Sequence, residues 1–437
     1  AVGDLLTTAT PQEDGTYLIE GTKIFISGGD SDFYGNVIHL VLARIKGDPQ
    51  GSKGISLFVV PRDLVNDDGS NGASNNVWVT RIEEKMGIHG SATCQMSFGG
   101  DGPTVGWLVG QARQGLPYMF QMMNEARIAC GLQAVALANA SYQQALAYAR
   151  DRKQGPDLAK KDLDGPSIPI INHPDVRRNL MLAKAFSEGT RSLLAQAAFW
   201  GDCSFNHPDE AERQRAQDLA DLATPICKAY STDKGFKVTE IAIQIFGGYG
   251  FTKEYPVEQY MRDCKISSLY EGTNGIQALD LLGRKMRLKG GALFMTYVME
   301  LSQFVEANRG NDAITRAVET LATAQGSLGE VAYWLASNGR TDIGKTLMNA
   351  TPFLELFGDI MVAHMLTLQA SIASRKLIER IGTAHATAEQ READDEVRFL
   401  AGKIDTARFF AAEVVAHVPG KARSIMDCET AALEMVF

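Results

Sequence analysis

No two of the six cysteines (Cys94, Cys130, Cys203, Cys227, Cys264 and Cys428) stand in CxxC spacing. That scatter argues against a zinc site and makes a reducing, cytoplasmic setting the simplest reading. Long basic runs are missing too. With 52 acidic against 43 basic side chains the net charge is −9, which gives no reason to expect nucleic acid or an anionic membrane as partner. No apolar run reads as long enough to span a bilayer. The chain opens Ala1-Val2-Gly3-Asp4, with neither an initiator methionine nor a signal peptide, so the expectation is a sequence that begins partway through a longer protein. A Ser-His-Asp set, an HExxH pair, a Walker loop, a GxGxxG fingerprint and an internal repeat of fixed period are all absent. What remains is ordinary globular material: 437 residues, 45% hydrophobic and 22% charged, enough for two or three domains.

Residues 1–110 read as strands. Thr16-Tyr17-Leu18-Ile19-Glu20 runs through Gly21 into Lys23-Ile24-Phe25-Ile26-Ser27, and Gly28-Gly29-Asp30 makes a turn. Apolar or alternating runs follow at 37–45, 55–60 and 77–82, with no helical crossover between them, which favours an antiparallel sheet. The polar stretch 66–76 reads as a surface loop. From about 115 the composition turns to Ala, Leu, Gln and Met, and helices are expected over 115–152, 174–200, 210–246 and 274–286. Beyond 288 the pattern is again helical, with Gly290-Gly291 as a joint and 389–398 as a solvated face or loop. The fold class is therefore α+β: an antiparallel β-domain over 1–110, a helical bundle over 111–287 and an additional helical domain over 288–437.

Several residues invite chemistry, and each has a plainer alternative. Phe246-Gly247-Gly248-Tyr249-Gly250-Phe251 is either a helix C-cap with its turn or a set of exposed amides that meets an anion such as pyrophosphate. In Tyr270-Glu271-Gly272-Thr273-Asn274, Glu271 precedes a helix whose N-cap is Thr273 or Asn274. It either complements the helix dipole or serves as a base with room beside Gly272 for a ligand. Arg127 lies in an apolar helix and needs a partner, either a carboxylate such as Glu125 or Asp263 or an anionic ligand. Arg150, Arg152 and Lys153 suit a helix C-terminus or a phosphate. His89 and His173 each read first as hydrogen-bonded loop residues.

In order, Phe246 to Phe251, Glu254-Tyr255-Pro256-Val257-Glu258, Met261-Arg262-Asp263 and Tyr270-Glu271-Gly272-Thr273 form a block that resembles the acyl-CoA dehydrogenase family. Weaker matches at Gly21 to Ser27, Lys85-Met86-Gly87-Ile88-His89, Glu125-Ala126-Arg127 and Asp151-Arg152-Lys153-Gln154 extend the resemblance over residues 1–287. Asn274-Gly275-Ile276-Gln277 and the helical tail are similar to larger bacterial members with an added C-terminal domain, which act on 3-methylmercaptopropionyl-CoA or straight-chain acyl-CoAs.

The resemblance implies FAD held between a β-domain and a helical bundle, in a homodimer or dimer of dimers, with an electron-transferring flavoprotein as acceptor. It places Glu271 as the base for the acyl-CoA α-proton, Phe25, Ile26 and Ser27 beside the flavin ring, and Asn124, Arg127 and Gly272 near the acyl-CoA. Arg152, His173 and Thr273 match flavin contacts, as do Gln244, Gly247 and Gly248 from a neighbouring subunit. It also implies an N-terminal helical domain and a Thr-Glu-Pro loop that would fall before Ala1, so the isolated chain is expected to bind FAD weakly. Phe25 stands where many members have Trp, and Gly275 where many have Gln. Two other readings remain open: a flavin oxidase on the same scaffold, and a non-catalytic helical binding module.

Overall fold

The computed structural model describes residues 2–160, 164–339 and 341–437. The chain separates into two compact units, Ala1–Ala126 and Arg127–Phe437.

The first unit carries nine strands: β1 (Thr8–Pro11), β2 (Tyr17–Ser27), β3 (Ile38–Ile45), β4 (Ile55–Pro61), β5 (Asp63–Val65), β6 (Asn71–Ser74), β7 (Val77–Ile82), β8 (Thr93–Phe98) and β9 (Val105–Leu108). The main sheet runs β1-β3-β4-β9-β2-β8-β7, and β1 also pairs with β2, so β1, β3, β4, β9 and β2 close into a ring. Every pair in it is antiparallel except β1–β3, which joins Thr8 to Arg44 and Ala9 to Ile45 in parallel. Five strands in a ring cannot alternate direction at each step, so one parallel pair is forced, and this is the exception to the expected antiparallel sheet. β8 alternates partly exposed and buried residues, sending Cys94, Met96 and Phe98 into a core with Ile19, Val41, Phe58 and Val60. The polar stretch 66–76 is not wholly a loop. β5 and β6 pair across it as a small hairpin, Asp63 with Ser74 and Val65 with Asn71, with Gly69 at φ +82 in the turn.

α1 (Gly115–Asp151) runs from the end of the first unit's sequence into the second. Three long helices follow α1's pattern of small and apolar residues: α2 (Pro174–Asn206), α3 (Glu210–Phe246) and, further on, α9 (Ala350–Ile381). Between them lie α4 (Val257–Lys265), α5 (Asn274–Gly283), α6 (Ala292–Asn308), α7 (Thr315–Asn338) and α8 (Ile343–Met348). After α9 come α10 (Ala388–Ala393), α11 (Asp395–Glu413), α12 (Val418–Asp427) and α13 (Ala431–Glu434). Gly290 and Gly291, at φ +67 and +93, form the expected joint before α6. The charge-rich run 389–398 is helical and mostly exposed, the solvated face of the two expectations rather than the loop. Thr387 and Gln390 form a reciprocal capping box that starts α10, and Asp394 caps α11.

One hydrophobic core runs through the second unit, from Val135 on α1 to Ile425 on α12. α9 is its axis and overturns one sequence expectation. It is long and apolar enough to cross a membrane by length and composition, but 83% of its most apolar window is buried in the fold, where it packs against α2, α3, α5, α7 and α11. Among the described residues this is a core helix of the second unit.

Candidate active site

α3 ends at Gly247, whose φ of +61 only glycine adopts readily. α4 and a short 3-10 turn then bring the chain back to Tyr270, and α5 begins at Asn274. The intervening segment Glu271-Gly272-Thr273 is strained and tightly braced. Glu271 has φ +59 and Gly272 φ +83, left-handed conformations that an L side chain adopts at a cost. Thr273 is the N-cap of α5, its hydroxyl accepting from Ile276 N at 3.4 Å. The fully buried Gln277 reaches back, Nε2 donating to Glu271 O at 3.2 Å and Gly272 O at 3.5 Å.

α1 lines the other side of this segment with residues three apart on one face. Arg127 pairs with Asp280 of α5 at 3.4 Å, Cys130 Sγ donates to Ser267 O at 3.3 Å, and Gln133 accepts the Tyr270 hydroxyl. The carboxylate seen to pair with the buried Arg127 is Asp280, on α5, a residue the sequence did not offer as a partner. Asp280 also holds Arg284 at 2.6 Å. A carboxylate oxygen of Glu271, Oε2, is buried with no hydrogen-bond partner among the described residues. Its charge is felt by its neighbours. Burial pulls the Arg127 guanidinium below its ordinary value, and Asp280 and Glu271 oppose that pull. Burial pushes the Cys130 thiol up to about 11, with Lys228 opposing and Glu271 adding to the rise. The Tyr270 phenol rises to about 12, again chiefly by burial.

Other sequence-predicted positions fall as follows. Arg152 follows α1 directly, exposed, with its guanidinium over the Tyr249 ring at 5.7 Å. His173 precedes α2, and its ring Nε2 lies 2.7 Å from Gln154 O, which can only accept, so Nε2 carries the proton. Gln244, Gly247 and Gly248 are exposed at the end of α3, and no atom lies within 4 Å of where a Cβ on either glycine would sit. Gly247 spends its backbone N–H on Gln244 O, which is the C-cap reading, and the space beside both glycines is open. Asn124, on α1, is half-buried, its Oδ1 without a partner among the described residues.

In the first unit, β2 and β8 shift register between Lys23 and Ile26. The resulting bulge puts Phe25 at φ +60 with 69% of its surface exposed, while Ile26 packs on the core and Ser27 lies exposed opposite Thr93.

Residues 1–100 match the family described as "Acyl-CoA dehydrogenase, middle domain", residues 113–286 match "Acyl-CoA dehydrogenase, C-terminal domain", and residues 297–436 match "Acetyl-CoA dehydrogenase C-terminal like". The 3-methylmercaptopropionyl-CoA dehydrogenase of Ruegeria pomeroyi is 38% identical over 424 residues, 96% of this chain and 68% of that protein. The chain belongs to the acyl-CoA dehydrogenase family. A butyryl-CoA dehydrogenase of Syntrophomonas wolfei is also 38% identical, over 99% of this chain and 70% of its own length. The fold matches that of an acyl-CoA dehydrogenase from Bacillus anthracis complexed with FAD at TM-score 0.72 and 19% identity, covering 98% of this chain and 67% of that one. This acyl-CoA dehydrogenase family member thus spans about two thirds of the length of such relatives.

Sequence reasoning did not single out Gln133, Lys228 or Asp280. Lys228 carried a signal: a lone cation in the stretch Leu222-Ala223-Thr224-Pro225-Ile226-Cys227-Lys228-Ala229 of a helix whose neighbours are all buried.

Proposed function

We propose that this chain supplies the catalytic base and much of the ligand surface of an acyl-CoA dehydrogenase, which converts an acyl-CoA thioester to the trans-2-enoyl-CoA. The observation that carries the reading is the Glu271 carboxyl: a buried, unpartnered oxygen on a left-handed segment that Thr273, Gln277 and Gln133 hold in place. A thioester α-proton is too weakly acidic for a carboxylate in water. Enclosure by an apolar acyl chain strengthens the base, and donors at the thioester carbonyl stabilise the developing enolate, each worth about 3 kcal/mol. The Glu271 backbone amide is one such donor in this reading. Asn124 and Arg127, one turn apart on α1, and Gly272, beside Glu271, contribute to the acyl-CoA site.

The residues present fit FAD. Gly247 and Gly248 are exposed, with open space beside them for a pyrophosphate to approach, and Gln244 accompanies them from a second copy of the chain. Arg152 supplies a cation and His173 a ring held by Gln154. Thr273 keeps its hydroxyl proton to donate after accepting from Ile276. The Phe25 bulge presents a ring and the Ile26-Ser27 backbone as a flavin-facing edge. When bound, FAD supplies the acceptor for the hydride that leaves Cβ. The reading includes a homodimer or dimer of dimers, an electron-transferring flavoprotein as the next acceptor, a cytoplasmic setting, and a fatty acyl-CoA or 3-methylmercaptopropionyl-CoA as substrate.

Full-length protein loaded with FAD and mixed anaerobically with acyl-CoAs of graded length tests this. Loss of oxidised-flavin absorbance together with trans-2-enoyl-CoA is the expected result. No spectral change with any acyl-CoA would refute it, and stoichiometric peroxide on turnover in air would reassign the enzyme as an oxidase.

A further inference from the structure

Lys228 lies on α3 and is fully buried. Burying an ammonium is costly, yet among the described residues Lys228 has no carboxylate within ion-pair distance; its Nζ donates to Asn274 Oδ1 at 2.8 Å. Asn274 is the first residue of α5, three positions after Glu271. Its own amide nitrogen has two hydrogens to share among three acceptors on α3 within hydrogen-bond distance, Ala229 O at 3.1 Å, Thr232 Oγ1 at 2.9 Å and Asp233 Oδ1 at 2.7 Å. One side chain thus ties the start of α5 to a single turn of α3, and the lysine fixes which way its amide faces. The electrostatic surroundings include the carboxyl of Glu271. Burial draws Lys228 below its ordinary value, and Cys130, Asp233 and the Glu271 carboxylate oppose the fall, while Arg127 adds to it.

We infer that Lys228 is a positioning residue for Glu271, acting through Asn274 to hold the Glu271-Gly272-Thr273 segment at the angle the base requires. The inference rests on Glu271 being the base. Nothing in the β-unit is needed for it, since Lys228, Asn274 and Glu271 all belong to Arg127–Phe437. A misplacement of about 1 Å at a reacting group can cost on the order of 100-fold in rate without touching affinity, and that is the signature a positioning residue leaves.

The test uses Lys228→Met, Asn274→Ala and the double variant in the full-length, FAD-loaded protein, with the rate of flavin reduction followed against acyl-CoA concentration. Each single variant is expected to slow reduction at saturating acyl-CoA by roughly 10-fold or more, to leave the apparent acyl-CoA dissociation constant within about threefold, and to be no worse when combined. Amide hydrogen exchange in the flavin-free chain is expected to quicken over 270–277 while the body of α3 stays protected. Reduction within about twofold of wild type in Asn274→Ala, or affinity falling in step with rate, would overturn the inference; if Lys228→Met does not fold, Asn274→Ala and its exchange pattern decide alone. Glu271→Gln separates the two readings. Activity retained there sinks the proposed function itself, whereas activity lost there and kept in both other variants sinks only the role of Lys228.

Discussion

At Gly272 two physical demands meet. The backbone stands at φ +83, and a Cβ added there would lie 2.7 Å from Gln277 Nε2, the donor that holds Glu271 O. Gly272→Ala is therefore expected to lower stability by about 1–2 kcal/mol from the left-handed backbone alone, and to slow flavin reduction as well, because relief of the clash turns the Gln277 amide away. Denaturant unfolding beside stopped-flow reduction checks both; a variant unchanged in each would show that the segment is slack. How far this site could be read from the sequence varies by residue. Glu271, Gly272 and Thr273 were legible because their order is local, a short loop and an N-cap within three residues. The partner of Arg127 was not, because Asp280 lies 153 residues away in the chain and only the packing of α5 on α1 brings the two together. Lys228 was legible as an oddity but not as a tether, since its acceptor comes from another helix.

Elements were read well where periodicity is long or alternation is clean. The expected runs at 37–45, 55–60 and 77–82 became β3, β4 and β7 within a residue or so, and 210–246 became α3. The reading failed where short-range chemistry outweighs composition, at the hairpin of β5 and β6 inside a polar stretch, while at the charged run read as a solvated face or loop the capping box of α10 decides for an exposed helix. α9 misled in the other direction, because its apolar face wraps almost all the way round. Its one histidine, His364, lies tilted against Phe304 with 4.6 Å between ring centroids, and burial lowers its pKa to about 4. A histidine held neutral in the fold protonates more readily once unfolded, so stability is full above pH 6.5, the ordinary histidine value, and is lost as pH falls from there toward 4. His364→Leu should flatten the stability profile across that window relative to wild type. Parallel profiles for the two proteins would show that His364 does not titrate on unfolding.

For the unit Arg127–Phe437 as a whole, the sequence leaves the last helices either as a bundle of their own or packed against the first, since any apolar helical face looks alike before its neighbours are known, and they share one core. An ionic cluster around one buried carboxylate marks the union. Asp359 of α9 accepts from Tyr230 of α3 at 2.6 Å and from Lys421 of α12 at 2.8 Å, while Glu355 bridges Lys421 and Lys234. Lys421→Met leaves the fully buried Asp359 short of its cation, and is expected to destabilise the unit by about 3 kcal/mol. A melting temperature equal to wild type would place the cluster outside the cooperative core. In the proposed reading this scaffolding holds one carboxyl group, whose role is open to a single comparison: the rate of anaerobic flavin reduction by acyl-CoA in wild type and in Glu271→Gln, each full-length and equally loaded with FAD. The expected result is a fall of at least about 100-fold with acyl-CoA still bound; reduction by Glu271→Gln at the wild-type rate would contradict the assignment of Glu271 as the base.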